Sequence, residues 1–382
     1  MTSRTVDVIA AGPPSPDPYD HAAPAWALAA ALAERGDSVA VVHPTGPAAG
    51  VPPAGTVDIP VEIPVRRPGA AVEGADFAAA AGKRIRRTTD LILRDPAGFG
   101  RLGLHRSGNG GPVLGVFVRE MELAAYDRAR EGRARGGFRD RLDAWRDRRA
   151  VRRLEEAALT EADRLFYDAA GLPGDLHREY AIPERRFRAA LPPVASPPDP
   201  PTREAARAGF RLPSDVPVVA TLAPVEEPEP SGIDRAREAF RRVRSFFPGA
   251  RLVVAGATAP AEPGVVAVEA RDGMTFARAI VAADVVLLSR RTTGFDPGAI
   301  LALRAGRCVI ASPGVRLPVD PGDAVRAVSS DDPGELASVL AELLADPAAR
   351  RTLASAGERY AAAFDPARVA GEVSGATLPG AG

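Results

Sequence analysis

Two adjacent arginines, Arg290 and Arg291, directly follow the apolar run DVVLLS. Ligands of parallel sheets lodge beyond the carboxyl ends of the strands, and guanidinium groups bind phosphate oxygens there. Gly294 and Phe295 then precede Asp296, a typical helix start, where backbone N–H groups also attract phosphate. The segment therefore predicts a phosphate-binding site. Two structural interpretations stay open: exposed arginines in an arginine-rich chain, and a plain Asp296 N-cap.

Candidate acid–base groups lie in the first half of the chain. Asp20 and His21 are in the loop after the first apolar run, and histidine, with an unperturbed pKa of about 6.5, suits proton transfer. Arg119 and Glu120 end a second run, VLGVFV, at the same edge of the predicted sheet. We take Asp20, His21 and Arg119 as candidate catalytic residues. The alternatives are a plain surface histidine and an ion pair within the domain.

An arginine-rich segment follows. Between Arg128 and Arg153 lie eleven arginines against four acidic residues, interleaved with Phe138, Leu142 and Trp145. Such a surface can contact anionic lipid or a phosphorylated molecule. A solvated helical face in an arginine-rich chain explains the same pattern.

Composition excludes several classes of function. Cys308 is the one cysteine and the four histidines are scattered, so the sequence predicts neither a disulfide nor a metal site. With 49 basic and 49 acidic residues the formal net charge is zero, which gives no overall field for nucleic acid. We expect no cofactor, no nucleic-acid partner and a cytoplasmic protein, with peripheral contact at the inner face of the membrane left open.

The 382 residues suit two domains, each built from alternating strands and helices. In the first half, residues 22–35 and 77–93 predict helices, and the predicted strands are VDVIAAG, SVAVVHP, VDIPVEIPV, PVLGVFV and DRLFYDAAG. In the second half the predicted strands are VPVVATLAP, RLVVAG, VVAVEA, DVVLLS and RCVIAS, alternating with helices. Six prolines within 192–201 predict the linker. We therefore expect domains at 1–195 and 196–364, then a helix and tail at 365–382.

Four segments of the second half, in order, resemble the family-four retaining glycosyltransferases. They are GFRLPSDVPVVATLAP, GIDRAREAFRRVRSFFPGARLVVAG, FARAIVAADVVLLSRRTTGFDPGAILALRAGRCVIAS and DDPGELASVLAELLADPAARRTLASAGERYAAAF. The resemblance implies an α/β fold of the GT-B type, with two Rossmann-like, doubly wound parallel-sheet domains facing across a cleft. It implies a nucleotide diphosphate sugar on the second domain, an acceptor on the first, and no required metal. On this basis the donor-binding residues would be Arg290, Arg291, Thr293, Gly294 and Phe295.

The chain departs from the family at the donor site. The family's pair of glutamates corresponds to Thr293 and Leu301, and its arginine and lysine correspond to Pro224 and Ser231. Leucine cannot accept hydrogen bonds from a ribose. The first loop, AGPPSPDPYDHAAP, has one glycine and five prolines where the family has a glycine-rich turn.

Two functions follow as hypotheses. The first is a glycosyltransferase that transfers a sugar from a nucleotide diphosphate donor to an unidentified acceptor. The alternative is a catalytically inactive GT-B scaffold that partners an active glycosyltransferase or a polysaccharide assembly, because a fold by itself does not specify chemistry.

Overall fold

Most of the chain between residues 3 and 377 is described by a computed structural model. The described residues are 3–15, 17, 20, 22–46, 50–63, 70–95, 100–104, 111–119, 121–131, 138–169, 171–197, 199–223, 230–257, 262–270, 272–289 and 295–377. They divide into two compact units. The first comprises Met1–Ser15, Pro24–Pro193 and Pro366–Gly382, and the second comprises Pro16–Ala23 and Val194–Asp365.

The first unit is built on a parallel sheet with the strand order β3-β2-β1-β4-β5-β6-β7. Its strands are β1 (Thr5–Ile9), β2 (Ser38–Pro44), β3 (Thr56–Val61), β4 (Leu91–Arg94), β5 (Val113–Val118), β6 (Arg164–Tyr167) and β7 (Phe187–Ala189). The order of the strands reverses at β1, which pairs with β2 through Val6 and Val39 and with β4 through Val6 and Leu91. Such a reversal is the usual ligand position in open α/β sheets.

Helices accompany this sheet at α1 (Ala23–Glu34), α2 (Ala70–Gly82), α3 (Glu122–Glu131), α4 (Phe138–Glu161), α5 (Leu172–Tyr180) and α12 (Pro366–Ala376). Helix α1 buries Trp26, Leu28 and Leu32, and the Trp26 indole N–H donates to the Gly12 carbonyl oxygen at 3.1 Å. Burial of this apolar face fixes the helix and, through the indole, the start of the first loop.

The predicted helix at 77–93 is wrong in its second half. Helix α2 ends at Gly82, and Leu91–Arg94 form the central strand β4. The buried carboxylate of Asp7 holds the intervening turn, because it accepts from the Arg86 backbone N–H at 2.9 Å and from the Thr89 hydroxyl at 2.6 Å. These contacts join residues far apart in sequence, so helical periodicity could not reveal them.

The second unit repeats the architecture, with a parallel sheet in the order β10-β9-β8-β11-β12-β13. Its strands are β8 (Val218–Leu222), β9 (Arg251–Ala255), β10 (Val265–Val268), β11 (Val285–Leu288), β12 (Cys308–Ala311) and β13 (Arg326–Ala327). Cys308 is buried in β12, and burial raises the pKa of its thiol to about 12. The thiol is therefore protonated at neutral pH and is part of the core.

The helices of the second unit are α6 (Arg203–Gly209), α7 (Pro230–Val243), α8 (Gly273–Ala282), α9 (Pro297–Arg304), α10 (Pro333–Ala345) and α11 (Pro347–Ala361). Apolar residues recur along α7 at steps of three and four, and of these Ala236, Phe240 and Val243 are fully buried in the core. Helices α10 and α11 begin at the N-caps Asp332 and Asp346, each followed by a proline. An aspartate that accepts the first amides and a proline that needs no acceptor favour these starts.

Helix α12 belongs to the first unit although it follows the second along the chain. The Arg4 side chain donates to the Ser374 hydroxyl at 2.7 Å, and Arg164 donates to the Ala376 carbonyl oxygen at 3.3 Å. Val369, Ala370 and Val373 are fully buried. The helix is thus anchored by both polar and apolar contacts. Within the described part of the chain, no helix combines the length and apolar composition needed to span a bilayer.

Candidate functional site

Both sheets reverse their strand order between two central strands, so the residues just beyond those strands are the first place to look for a site. In the second unit we call this region the second-sheet carboxyl edge; it comprises the residues after β8, β9, β11 and β12 and the start of α9. After β11, the Ser289 hydroxyl donates to the Gly232 carbonyl oxygen at 2.6 Å. The Arg235 Nε donates to the Ser289 carbonyl oxygen at 3.0 Å. These bonds attach the start of α7 to this edge.

The N-terminus of α9 lies at the same edge. Asp296 is fully buried, and its Oδ1 accepts from the Gly298 N–H at 2.9 Å as the N-cap. Phe295 forms a parallel bridge with Arg316 and stacks on the Phe364 ring, with the centroids 5.7 Å apart. Because Pro297 carries no N–H and Gly298 already donates to Asp296, the first turn offers few amides to a bound anion.

A buried hydroxyl lies at the end of β12. Ser312 is 3% exposed, and its backbone N–H donates to the Leu288 carbonyl oxygen at 2.9 Å, next to Ser289. Among the described residues the Ser312 Oγ has no hydrogen-bond partner. A buried hydroxyl without a partner is costly, so it marks a position where a ligand group or a water would be stabilised. Sequence reasoning missed it, since a serine after a strand gives no specific signal.

Gly256 permits close packing at this edge. Its φ is +103°, and a Cβ placed there would lie 2.0 Å from the Ala223 carbonyl oxygen. No other residue type fits without displacing the backbone. The ends of β8 and β9 therefore meet more closely than side chains would allow.

Most of the predicted donor-binding residues lie outside the described residues, namely Arg290, Arg291, Thr293 and Gly294; Phe295 is the member that is described. Leu301, at the position of the family's second glutamate, is 5% exposed within α9. Pro224 lies outside the described residues as well, and of Ser231 only the backbone in α7 is described. Among the described residues, buried Leu301 therefore stands where the family has a donor-contacting glutamate.

In the first unit, the residues after β4, β5 and β6 form what we call the first-sheet carboxyl edge: Asp95, Arg119 and Asp168. Arg119 makes a bidentate ion pair with Asp95, its Nη2 lying 2.9 Å from Oδ1 and 3.0 Å from Oδ2. The side chain of Asp95 is 4% exposed and that of Arg119 is 21% exposed. Arg119, a predicted catalytic residue, thus holds a buried carboxylate in place. This agrees with the alternative interpretation of an ion pair within the domain, and the partner is Asp95.

Asp168 is the third member of this edge, and sequence reasoning missed it. Val118 and Tyr167 are register partners in β5 and β6, so Arg119 and Asp168 emerge side by side. Burial raises the pKa of Asp168 to about 6; the positive charge of Arg119 opposes this rise and the negative charge of Asp95 adds to it. A carboxyl group that titrates near neutral pH can exchange a proton with a substrate.

Arg94, the last residue of β4, lies beneath this edge. It is 1% exposed, and its Nη1 donates to the Gly100 carbonyl oxygen at 2.8 Å. Burial lowers its pKa to about 10, while Glu161 and Glu122 partly offset the effect. The first-sheet carboxyl edge therefore rests on a cation that stays charged at neutral pH.

The remaining predicted catalytic residues are placed as follows. Asp20 is half-buried, and its Oδ1 accepts from the Ala22 N–H at 2.8 Å, immediately before α1. This is a turn-stabilising role that leaves Oδ2 for another contact. His21 and Glu120 lie outside the described residues.

The arginine-rich segment falls partly on α4. Trp145 is 56% exposed and Leu142 is 36% exposed, and the Arg149 guanidinium lies 5.4 Å from the centroid of the Trp145 ring. Arg148 pairs with Asp127 of α3 at 2.9 Å. The segment therefore combines exposed apolar side chains with arginines that are in part already paired.

Two doubly wound parallel sheets with one strand order, in a single chain, are the architecture of the GT-B fold. The fold class expected from the sequence is confirmed.

Comparisons with known proteins agree. No protein-family model and no curated protein sequence match the chain. WaaG, a glycosyltransferase involved in lipopolysaccharide biosynthesis, is 18% identical with a TM-score of 0.70, covering 98% of this chain and 100% of that one. Sucrose-phosphate synthase from Thermosynechococcus elongatus is 18% identical with a TM-score of 0.68, covering 97% of each chain. HepE of Anabaena in complex with UDP-glucose is 12% identical with a TM-score of 0.60, covering 97% of this chain and 98% of that one.

Proposed function

We propose that the chain is a glycosyltransferase that transfers a sugar from a nucleotide diphosphate donor to an acceptor hydroxyl, in the manner of the family-four retaining enzymes. The observation that carries the proposal is the similarity over nearly the full length of both chains to solved glycosyltransferases. HepE, one of these structures, holds UDP-glucose. Fold similarity alone does not specify chemistry, so the residues at the two carboxyl edges must supply the rest.

The donor side of the proposal is the second-sheet carboxyl edge. Arg290 and Arg291 follow Ser289 directly and would neutralise the diphosphate as it leaves. Thr293, Gly294 and Phe295 would line the same loop before α9. The unpartnered Ser312 hydroxyl would donate to, or accept from, the donor at the end of β12.

The acceptor side of the proposal is the first-sheet carboxyl edge. In the transfer, an acceptor oxygen forms a bond to the sugar C1, the bond from C1 to the phosphate oxygen breaks, and the acceptor proton must leave. Asp168, with its pKa raised to about 6, would accept that proton or orient the hydroxyl. Asp20, His21 and Arg119 remain candidates for orienting the acceptor.

Two observations favour the inactive scaffold as the second candidate. Leu301 is apolar and buried where a ribose-binding carboxylate would be expected. The Asp296 carboxylate occupies the N-terminus of α9, and its negative charge competes with a phosphate there.

The decisive measurement is the melting temperature of the full chain with a panel of uridine, guanosine and adenosine diphosphate sugars and the free diphosphates. A ligand at 100 times its Kd stabilises the folded state by about 2.7 kcal/mol. We expect one nucleotide series to raise the melting temperature. Failure of every member of the panel would contradict the proposal and support the scaffold.

A matched pair of variants locates the binding. The double substitution R290A/R291A should abolish most of the shift, because both guanidinium groups are assigned to the diphosphate. The control R351A/R359A removes the same charge from exposed positions of α11 and should keep the shift. Equal loss in both would mean that binding depends on overall charge.

Contact with the inner face of a membrane stays a prediction. The exposed Trp145 and Leu142 on α4, beside arginines, support it. Co-sedimentation with anionic vesicles, compared between the natural chain and L142S/W145S, tests it directly.

A further inference from the structure

A cavity of about 180 Å³ opens at the amino edge of the second sheet. Pro217 and Asp284, which line it, directly precede β8 and β11. A strand advances about 3.3 Å per residue, so four or five residues separate this cavity from the second-sheet carboxyl edge by roughly 13–16 Å. The cavity is therefore distinct from the proposed donor site, and we call it the amino-edge cavity.

The charged groups that line the amino-edge cavity are Arg203, Arg207, Asp215, Asp284 and Arg350. Asp284 is neutralised within the protein. Its Oδ2 accepts from the Arg207 Nη2 at 2.9 Å and from the Val218 N–H at 2.8 Å, and its Oδ1 accepts from Arg203.

Arg207 is likewise held within the protein. It is 5% exposed, its Nε donates to the Ala282 carbonyl oxygen at 3.0 Å, and its Nη1 donates to the Ser214 carbonyl oxygen at 2.6 Å. Arg207 and Asp284 are thus a structural pair that shapes the cavity. Both side chains are held mainly by contacts within the protein.

The three arginines exceed the two aspartates of the lining by one positive charge, and within the described part of the chain two of these arginines have N–H groups without an acceptor. Among described residues, Arg203 donates through Nη2 alone, to Asp284. Arg350 donates through Nη1 alone, to the carbonyl oxygens of Leu343 and Leu344. A guanidinium carries five N–H groups, so each side chain keeps donors for an anion. Asp215 is exposed and offers a solvent-screened charge against them.

The local electrostatics agree with an excess of positive charge. The pKa of Arg207 is lowered, first by burial and then by the charge of Arg203. The pKa of Arg307, whose Nη1 donates to the Ala283 carbonyl oxygen, is lowered by burial and by the charges of Arg203 and Arg207. Repulsion among these arginines would fall if an anion entered the cavity.

We infer that the amino-edge cavity is an oxyanion site that binds a phosphate group, free or carried by a small molecule, between Arg203 and Arg350. Guanidinium groups match phosphate oxygens in geometry and charge. The volume suits a phosphate or a small phosphate ester, since sites for drug-sized ligands run from about 300 to 1,000 Å³. The site is independent of the proposed glycosyl transfer.

The test is titration calorimetry of the full chain with inorganic phosphate, in chloride buffer at constant ionic strength. The variants are R203Q, R350Q and the control R351Q, which removes the same charge one residue along α11 at an exposed position. We expect the natural chain and R351Q to bind phosphate equally. R203Q and R350Q should each bind about tenfold more weakly or worse, as expected for losing a charge-assisted hydrogen bond.

A second titration identifies the ligand, and urea denaturation tests whether each variant is folded. A parallel titration with glucose 6-phosphate distinguishes a phosphate ester from free phosphate by which binds more tightly. Urea denaturation of each variant establishes that it is folded, and R350Q keeps the Arg203–Asp284 contact intact. No phosphate binding by the natural chain, or equal binding by all four proteins, would overturn the inference.

The nucleotide panel separates this inference from the proposed function. R203Q and R350Q should respond to the nucleotide panel as the natural chain does. Phosphate binding that persists in both variants and is displaced by a nucleoside diphosphate would place the phosphate at the donor site and reject the amino-edge cavity.

Discussion

The two sheets have the same order over six strands, but the residues that follow the strands differ in chemical type. After β4, β5 and β6 the first-sheet carboxyl edge has Asp95, Arg119 and Asp168. After β8, β9 and β11 the second-sheet carboxyl edge has Ala223, Gly256 and Ser289. The three residues of the first edge are charged and include a carboxyl group with a pKa of about 6, whereas the three residues that directly follow these strands of the second edge are uncharged, and Gly256 allows close backbone approach.

The N-termini of α3 and α9 also differ in which carboxylate accepts from their first N–H groups. In the first unit the start of α3 is occupied by Glu155, whose carboxylate accepts from the N–H groups of Glu122 at 2.7 Å and Leu123 at 3.1 Å. In the second unit the start of α9 is capped by its own Asp296, whose Oδ1 accepts from the Gly298 N–H. Open α/β sheets usually bind ligands at such edges, but the residue types decide which edge can transfer protons and which can hold an anion.

The largest expected effect comes from breaking the ion pair of the first edge. Arg119→Ala removes the bidentate ion pair of the buried Asp95 carboxylate, so we expect the free energy of unfolding to fall by about 3 kcal/mol. Urea denaturation at pH 7.5 measures it. The control Arg146→Ala breaks a pair with Asp143 in which both side chains are at least 65% exposed, and should change stability little. Equal losses would show that Asp95 does not depend on Arg119.

A smaller, pH-dependent effect is expected at Asp168. Its pKa of about 6 in the folded state lies above the value of about 4 in an unfolded chain. The folded state therefore keeps the proton to higher pH, and ionised Asp168 destabilises it: this cost is absent below about pH 4, grows as pH rises, and is complete above about pH 6. Asp168→Asn should raise the free energy of unfolding by up to about 2.7 kcal/mol at pH 7.5 and little at pH 4.

Denaturation at the two pH values measures this difference, with Asp323→Asn as an exposed control. A pH-independent effect of Asp168→Asn would contradict a raised pKa. If Asp168 also accepts the acceptor proton, kcat of the natural chain should fall below about pH 6, and Asp168→Asn should lower kcat more than it raises KM.

The smallest effects distinguish the two serines of the second edge. Ser289→Ala loses the bond to the Gly232 carbonyl oxygen and should cost about 1 kcal/mol, whereas Ser312→Ala removes an unpartnered hydroxyl and should be neutral or slightly stabilising. Denaturation of both variants checks this order. Weaker nucleotide binding by Ser312→Ala without a loss of stability would assign that hydroxyl to the donor. The reverse order of stability would mean that Ser312 has a structural partner.

Sequence patterns predicted the central strands of the second sheet well, because β8, β11 and β12 are fully buried and are continuous apolar runs such as VVLL. The edge strand β13, Arg326–Ala327, is exposed and gave no such signal. The central strand β4 was missed for a definite reason. The strand has only four residues and follows an alanine-rich helix. The turn before it is held by Asp7, which belongs to another strand. Contacts of that kind carry no local signal.

The candidate site was less predictable than the fold. Arg119 was identified from its place at a strand end, but its partner Asp95 follows a strand that the sequence did not reveal. Asp168 was overlooked because its raised pKa arises from burial and neighbours that only the folded sheet brings together. Ser312 gained significance only from the absence of a partner among described residues.

The return of α12 to the first unit has a consequence for biosynthesis. Arg4 and Arg164 can reach Ser374 and Ala376 only after the intervening Val194–Asp365 has been translated. At roughly 5–20 residues per second, the nascent first unit waits on the order of ten seconds or more for its last helix. During that interval the surface that α12 covers is exposed on the ribosome, where chaperones can bind it. The unit encoded first is therefore completed last.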